Sequence, residues 1–393
     1  MNNFQYYNQT RFIFGKGEED HAGTYIKEYG AEKVMILHYG TDMKFETDLI
    51  DRVKESIKQA GLTFYDFTGI QPNPDIGKAL EAVEIIRAEK IDFLLPVGGG
   101  SVIDTAKFAA IAAEYEGDVW QDCFLDRKPV PAPILLGAIS TIAASGSENS
   151  PDAVIANQGL KRSISDSKLR PVFAIMDPEL SFTLPPKLTA AGAADIIAHA
   201  HERYFTPVPD NYFTDQLNES VIRTVIKYAP VALKEPDNYN ARAQLLWAGL
   251  LAHNGMFEVG RTIDGAVHCI ESEIGGLYHS THGTGCGCVT MAWAQYVYKR
   301  DIPRFVGYFN RVWGVEIDAF NPEDMIEEGL RRMREFYLSL GIPASFKELG
   351  VKEEDIGKLI STTRVTPAGL TGGFSKLTRN DLREIYKIGM ESK

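Results

Sequence analysis

Cysteine is scarce in this chain of 393 residues: only Cys123, Cys269, Cys286 and Cys288 occur. None forms a CxxC pair, and the spacing of Cys286 and Cys288 is not that of a zinc knuckle. Four cysteines over this length are too few for a disulfide scaffold, so a reduced protein is expected. Long apolar runs are also missing. No stretch reaches the roughly eighteen apolar residues of a membrane span, and the start MNNFQYYNQTRF has no apolar core of signal-peptide length. A cytoplasmic protein with no membrane partner is the expectation. Positive charge is in deficit too. The 41 Lys and Arg against 53 Asp and Glu leave a net charge of −12, which argues against a general nucleic-acid binder. A local basic pocket for a phosphate is still allowed. Internal repeats and low-complexity segments are absent. What is present is an ordinary globular composition, 44% hydrophobic and 24% charged, in a chain longer than one core usually carries.

The two halves follow different patterns. In the first, strand signals at 33–40, 62–67, 91–101, 131–140, 152–156 and 171–178 interleave with helical spacing at 46–61, 75–90 and 102–115. Such alternation predicts a parallel, Rossmann-like sheet wrapped by helices. From LPPKLT (184–189) onward the spacing is helical: 188–205, 212–233, 238–256, 261–273, 284–299, 320–340 and 379–391. The Pro185-Pro186 pair is a natural hinge. The expected organisation is an α/β domain over 1–184 and an all-helical domain over 185–393.

Only eight histidines occur, and three fall with one aspartate in a suggestive pattern. Asp195 and His199 lie four apart in AADIIAHAHE, which on a helix places both on one face. His268 and His282 are fourteen apart with Gly275-Gly276 between, room for one helix end, a turn and the start of another. One carboxylate and three imidazoles suit a divalent transition metal. An exposed Asp195–His199 pair is the plainer reading, but AADIIAHA is too apolar for a surface face, and a buried polar pair needs a partner. His201 faces another way and is read as structural. Cys269, Cys286 and Cys288 lie near these residues in sequence and are read as small packing residues, with contact to a metal as the lesser alternative.

Two small-residue turns stand out in the first half. PVGGGSVIDTAK sets Gly98, Gly99 and Gly100 between a strand and a helix start, where backbone N–H groups and the helix dipole favour an anion. The strict G-x-G-x-x-G fingerprint fails, since Ile103 occupies its last position, and a triple glycine alone is often just a tight turn. STIAASGSENS (140–150) follows a second strand. Together the turns predict a dinucleotide at the C-terminal ends of the strands.

These residues resemble a known family. PNP (72–74), GGGSVIDTAK (98–107), the S-G-S-E of SGSENS (145–150), DPELSFTLPP (177–186), D-x3-H (195–199) and the H-x13-H-G of His268 to Gly283 occur in order. The set is similar to the iron-containing alcohol dehydrogenases over nearly the whole chain, from TRFIFGKG (10–17) to the C-terminal helices. YGTDMK (39–44) and PVFAIMDP are closest to the butanol dehydrogenase and aldehyde reductase branch. The resemblance implies a dinucleotide domain, a helical metal domain, a cleft between them and a homodimer. It implies Asp195, His199, His268 and His282 as ligands of iron or zinc. It places Gly98, Gly99, Ser101 and Asp104 along an NAD or NADP cofactor, with Asn73, Thr141, Ser145 and Lys161 close by. Plainer readings stand beside two of these: Asp104 as a first-turn carboxylate on the helix dipole, and Lys161 as part of a solvated loop pair.

There are departures. The family's second histidine, one turn after the third ligand, is Ser272 here; His279, three before His282, could take its place or lie at the surface, and the surface reading is preferred. The run after the first strand reads Tyr39-Gly40-Thr41-Asp42. Asp42 could accept from a ribose hydroxyl, favouring NAD, whereas Lys44 could pair with the phosphate of NADP. The implied reaction is hydride transfer between the nicotinamide and a primary alcohol or aldehyde, with the metal as Lewis acid. Polyol dehydrogenases and dehydroquinate synthase-like lyases resemble the same scaffold. A lyase would need cations for an acidic substrate, and near the ligands only Arg203 and Arg261 offer them. A non-catalytic nucleotide module with a structural metal is a third alternative, but such sites are usually closed and Cys-rich.

Overall fold

The computed structural model describes residues 1–40 and 44–391. The chain divides into two compact units, Tyr7–Leu184 and Pro185–Lys393, the latter joined by Met1–Tyr6. The first six residues thus leave the sheet unit in which sequence order places them. They are held by main-chain bonds: the Asn2 N–H donates to the Gly260 carbonyl at 2.8 Å, and the terminal ammonium reaches the Pro209 carbonyl.

The unit Tyr7–Leu184 is α/β. Its strands are β1 (Arg11–Phe14), β2 (Lys33–Leu37), β3 (Thr63–Phe67), β4 (Phe93–Gly98), β5 (Leu135–Leu136), β6 (Ala138–Ser140), β7 (Asp152–Asn157), β8 (Leu160–Ser165) and β9 (Phe173–Met176). Its helices are α1 (Ala22–Lys27), α2 (Lys44–Gln59), α3 (Ile76–Glu89) and α4 (Gly100–Ala113). The main sheet runs β1-β9-β6-β4-β2-β3, with β5 beside β4, and every pairing in it is parallel. Pleating divides the apolar strand residues between two cores. Val34, Ile36, Phe93, Leu95 and Val97 pack with Leu49, Ile50 and Val53 of α2. Met35, Leu37 and Leu94 pack with Ala79, Ala82 and Val83 of α3 and with Val102, Ala106 and Ala109 of α4.

Helix limits follow local chemistry. The Asp75 carboxylate accepts from the Gly77 N–H at 2.8 Å and starts α3, and Lys90, in the left-handed region at φ 55°, ends it. One expectation is corrected. The strand signal at 152–156 does not join the parallel sheet; β7 forms a separate antiparallel hairpin with β8. Strand β7 carries alternating burial, the signature of a ribbon with one covered face, and the tight turn Gln158-Gly159, both at positive φ, closes the hairpin.

The unit formed by Pro185–Lys393 and residues 1–6 is helical, with α5 (Pro186–Tyr204), α6 (Tyr212–Lys234), α7 (Tyr239–Ala252), α8 (Ala266–Tyr278), α9 (His282–Val297), α10 (Ile302–Trp313), α11 (Pro322–Ser339), α12 (Ile356–Thr362) and α13 (Arg379–Met390). Helix α10 falls where the sequence reading placed no element; its Asp301 carboxylate caps the Arg304 N–H and Gly314 closes it at φ 68°. Helix α5 is buried all round from Thr189 to Tyr204 and is packed by α6, α7, α8 and α9. A helix enclosed this way reads as apolar on every face, and its polar residues must find partners inside the unit. No helix of the described residues is long and apolar enough to cross a membrane.

Candidate metal centre and cofactor turns

Asp195 and His199 sit one turn apart on α5, His268 lies in the first turn of α8, and His282 opens α9. The three imidazole Nε2 atoms each stand 3.6 Å from Asp195 Oδ1. That is too long for a hydrogen bond, and it is close to the donor separation of about 3.3–3.6 Å that tetrahedral coordination at about 2.0–2.2 Å requires. Asp195 Oδ1, His199 Nε2 and His268 Nε2 are buried with no hydrogen-bond partner. Buried polar atoms left so, and turned toward one another, fit a cation between them. Close packing fixes the arrangement. A Cβ on Gly283, next to His282, would collide with the Ala191 carbonyl oxygen, so only glycine lets the start of α9 press against α5.

Two buried carboxylates stand behind the imidazoles. Glu202 Oε2 lies 2.6 Å from His268 Nδ1, and Glu202 Oε1 accepts from the His268 N–H at 3.0 Å. Glu271 Oε2 holds His282 Nδ1 in a short contact. A carboxylate at Nδ1 fixes the ring and leaves Nε2 as the lone-pair nitrogen. Burial pushes the Glu202 carboxyl up, but the charge and hydrogen bonds of His268 outweigh this and hold it below its ordinary value. Burial likewise pushes Asp195 up, and the facing His282 and His268 bring it down. His199 is driven well below its ordinary pKa by burial and its neighbours, and so is neutral.

Sequence spacing did not point to Glu202, Glu271 or His253, whose ring stacks on His199 at 4.0 Å. Glu202 follows His199 by three residues on the same buried helix, a signal that was available. The reading of Cys286 as packing is incomplete: it groups with Asp195, His268 and His282, with one donor atom from each within 4.8 Å of the others. Cys288 instead donates to the Pro343 carbonyl at 3.1 Å. His279 is exposed and caps α8 at φ 54°. His201 is fully buried among Phe205, Trp293 and Tyr308.

In the α/β unit, β4 and β6 are neighbours, with Gly98 paired to Ser140, so the two small-residue turns leave the sheet side by side. They interlock. A Cβ on Gly99 would stand 2.7 Å from Ile142 Cγ2, and one on Gly100 2.5 Å from Ser145 Oγ. The Thr141 N–H donates to the Gly98 carbonyl. The Tyr39 hydroxyl reaches the Gly99 backbone and Ser101, and burial raises its pKa. Asp104 makes two internal contacts: Ser147 Oγ donates to Oδ1 at 2.6 Å and the Val154 N–H to Oδ2 at 3.3 Å. Burial raises its pKa despite Lys107. Lys161 is not a solvated loop residue; it lies on β8, 8% exposed, with Nζ 3.5 Å from Asn73 Oδ1. Gly40 accepts at its carbonyl from His38 Nδ1 at 3.1 Å. Thr41, Asp42 and the Lys44 side chain lie outside the described residues.

Residues 9–178 match the iron-containing alcohol dehydrogenase family, and residues 189–390 match the C-terminal region of the Fe-containing alcohol dehydrogenase family. The chain is 35% identical over 390 residues to NADH-dependent butanol dehydrogenase A of Clostridium acetobutylicum, covering 98% of this chain and 99% of that protein. It is 33% identical over 396 residues to the NADPH-dependent aldehyde reductase YqhD of Escherichia coli, covering 98% and 99%. The crystal structure of NADH-dependent butanol dehydrogenase A from Thermotoga maritima superposes with a TM-score of 0.94 at 35% identity, covering 100% of this chain and 99% of that one. With matches in order across both units, and relatives above 30% identity over nearly the full length, this chain belongs to the iron-containing alcohol dehydrogenase family.

Proposed function

We propose that this protein transfers a hydride between a nicotinamide cofactor and a primary alcohol or its aldehyde, and that Asp195, His199, His268 and His282 hold a divalent ion for that reaction. The observation that carries the reading is the set of three Nε2 atoms at 3.6 Å around Asp195 Oδ1. A bound divalent ion supplies a Lewis acid for the substrate oxygen, and a bound nicotinamide supplies or accepts the hydride. The chain's own part is positional. Glu202 and Glu271 orient His268 and His282 and keep the protons on Nδ1. The turns 98–101 and 141–145 offer main-chain N–H groups and the α4 N-terminus to the pyrophosphate. Tyr39, Gly40, Thr41 and Asp42 are assigned to the adenosine end, Asn73 and Lys161 to its rim. Asp104 acts by tying the second turn, through Ser147, to strand β7, through Val154.

Iron is the proposed ion, following the family, and zinc is the competing one. NADH is the proposed cofactor; the butanol dehydrogenase relatives named as NADH-dependent support it, and the NADPH-dependent aldehyde reductase keeps NADPH in the test. A homodimer acting in the reducing cytoplasm completes the proposal. A lyase on an acidic substrate is disfavoured: Arg203 pairs with Glu258 at 2.6 Å and Arg261 with Asp215 at 2.9 Å, so neither cation is left for a substrate. The test is absorbance of NADH and NADPH with butanal, using protein whose metal content has been measured. Oxidation of NADH, faster than of NADPH, is expected. No oxidation of either by metal-loaded protein would overturn the proposal.

A further inference from the structure

We propose that the Cys286 thiolate is a metal donor in this protein, so that thiophilic divalent ions are held by Asp195, His268, His282 and Cys286. The inference rests on the reading of the first three as metal ligands. Cys286 lies one turn after His282 on α9 and is wholly buried. Its Sγ is 3.8 Å from His282 Nε2, and the four residues offer donor atoms all within 4.8 Å of one another. Independent of the thiol, Asp195 Oδ1 and His268 Nε2 are buried in the same place without hydrogen-bond partners. Asp195 is 3% exposed.

The fourth position is contested. His199 is stacked on His253 at 4.0 Å and on His268 at 4.3 Å, and Arg203 Nη1, which donates to the His199 carbonyl at 3.0 Å, also lies 3.5 Å from its Nδ1. A guanidinium can only donate. It therefore favours the tautomer with the proton on Nε2, the nitrogen that would have to be a lone pair. Glu202 and Glu271 do the opposite for His268 and His282. Soft thiolate ligands select zinc and similar ions over harder ones, so such ions take Cys286, whereas iron keeps His199. On binding, the S–H bond breaks, a sulfur–metal bond forms and the proton leaves to water, with no change of oxidation state.

The test is cobalt(II) substitution. Protein stripped with a chelator is reloaded with Co²⁺, and bound metal and the near-ultraviolet spectrum are measured. One bound cobalt with a thiolate-to-cobalt charge-transfer band is expected. That band should be lost in Cys286→Ser and in Cys286→Ala, both still binding cobalt, and kept in Cys269→Ser and Cys288→Ser. Stoichiometric cobalt without the band in the unaltered protein, which needs no variant, would overturn the proposal, as would a band that survives Cys286→Ser. Failure to bind any divalent ion would instead strike the metal-centre reading on which it stands.

Discussion

At the residue scale, the centre depends on where each imidazole proton sits. Glu202→Gln and Glu271→Gln keep the shape of the carboxyl but remove the charge behind His268 and His282. Each should weaken metal binding by about 10- to 100-fold, read by competition against a chromogenic chelator; unchanged affinity would show that these carboxylates do not orient the rings. His268→Ala and His282→Ala should abolish activity while far-ultraviolet circular dichroism stays native, and full activity in either would show the ligand assignment wrong. Glu148 makes a prediction about stability. Burial pushes its pKa from 4.5 up to about 7. The folded state therefore binds more protons than the unfolded one between those values, and the stabilisation, on the order of 3 kcal/mol, is full below pH 4.5 and lost as pH rises through 7. Glu148→Gln should flatten the fall in Tm between pH 5 and 8. Asp264, also raised to about 7 by burial, would preserve part of the slope.

At the element scale, the site is a product of close helix approach. Gly283→Ala sets a methyl against the Ala191 carbonyl and must push α9 off α5. Overpacking of this kind costs about 1–3 kcal/mol, and here it also carries His282 away from Asp195. A lower Tm together with weaker metal binding is expected; native metal affinity would show that the approach of α9 does not set the ligand geometry. Gly100→Val tests the other unit, since even a single Cβ there meets Ser145 Oγ. It should raise KM for the nicotinamide cofactor without altering bound metal, measured by steady-state kinetics and metal analysis.

At the scale of the whole molecule, the proposed dimer has a candidate surface. Strand β1 lies at the end of the sheet order of the described residues, paired with β9, and its Phe12 and Phe14 are 36% and 38% exposed. A strand at the end of a sheet can pair with a second chain. Light scattering should give the mass of a dimer for the unaltered protein and of a monomer after Phe12→Lys with Phe14→Lys. A dimer that persists in the double variant would place the interface elsewhere.

The alternation of strand and helix, the parallel sheet and the helical second half were legible in sequence because apolar periodicity is local: it records which face of each element is covered. Asp195 and His199 were legible for the same reason, being one helical turn apart. The hairpin β7–β8 was half visible. DAVIA reads as a strand, but LKRSIS is too polar to read as one until the turn Gln158-Gly159 folds it back. Glu202 behind His268, Glu271 behind His282, and Cys286 beside the proposed ligands were decided only by tertiary structure. Their meaning lies in contacts between α5, α8 and α9, and the distance from Glu202 to His268, 66 residues along the chain, is set by how helices pack and not by any spacing within one of them. The sequence by itself determined which residue types could hold a metal and a dinucleotide. Packing decided which nitrogens face the centre, which carboxylates steer them, and that a thiol stands among them.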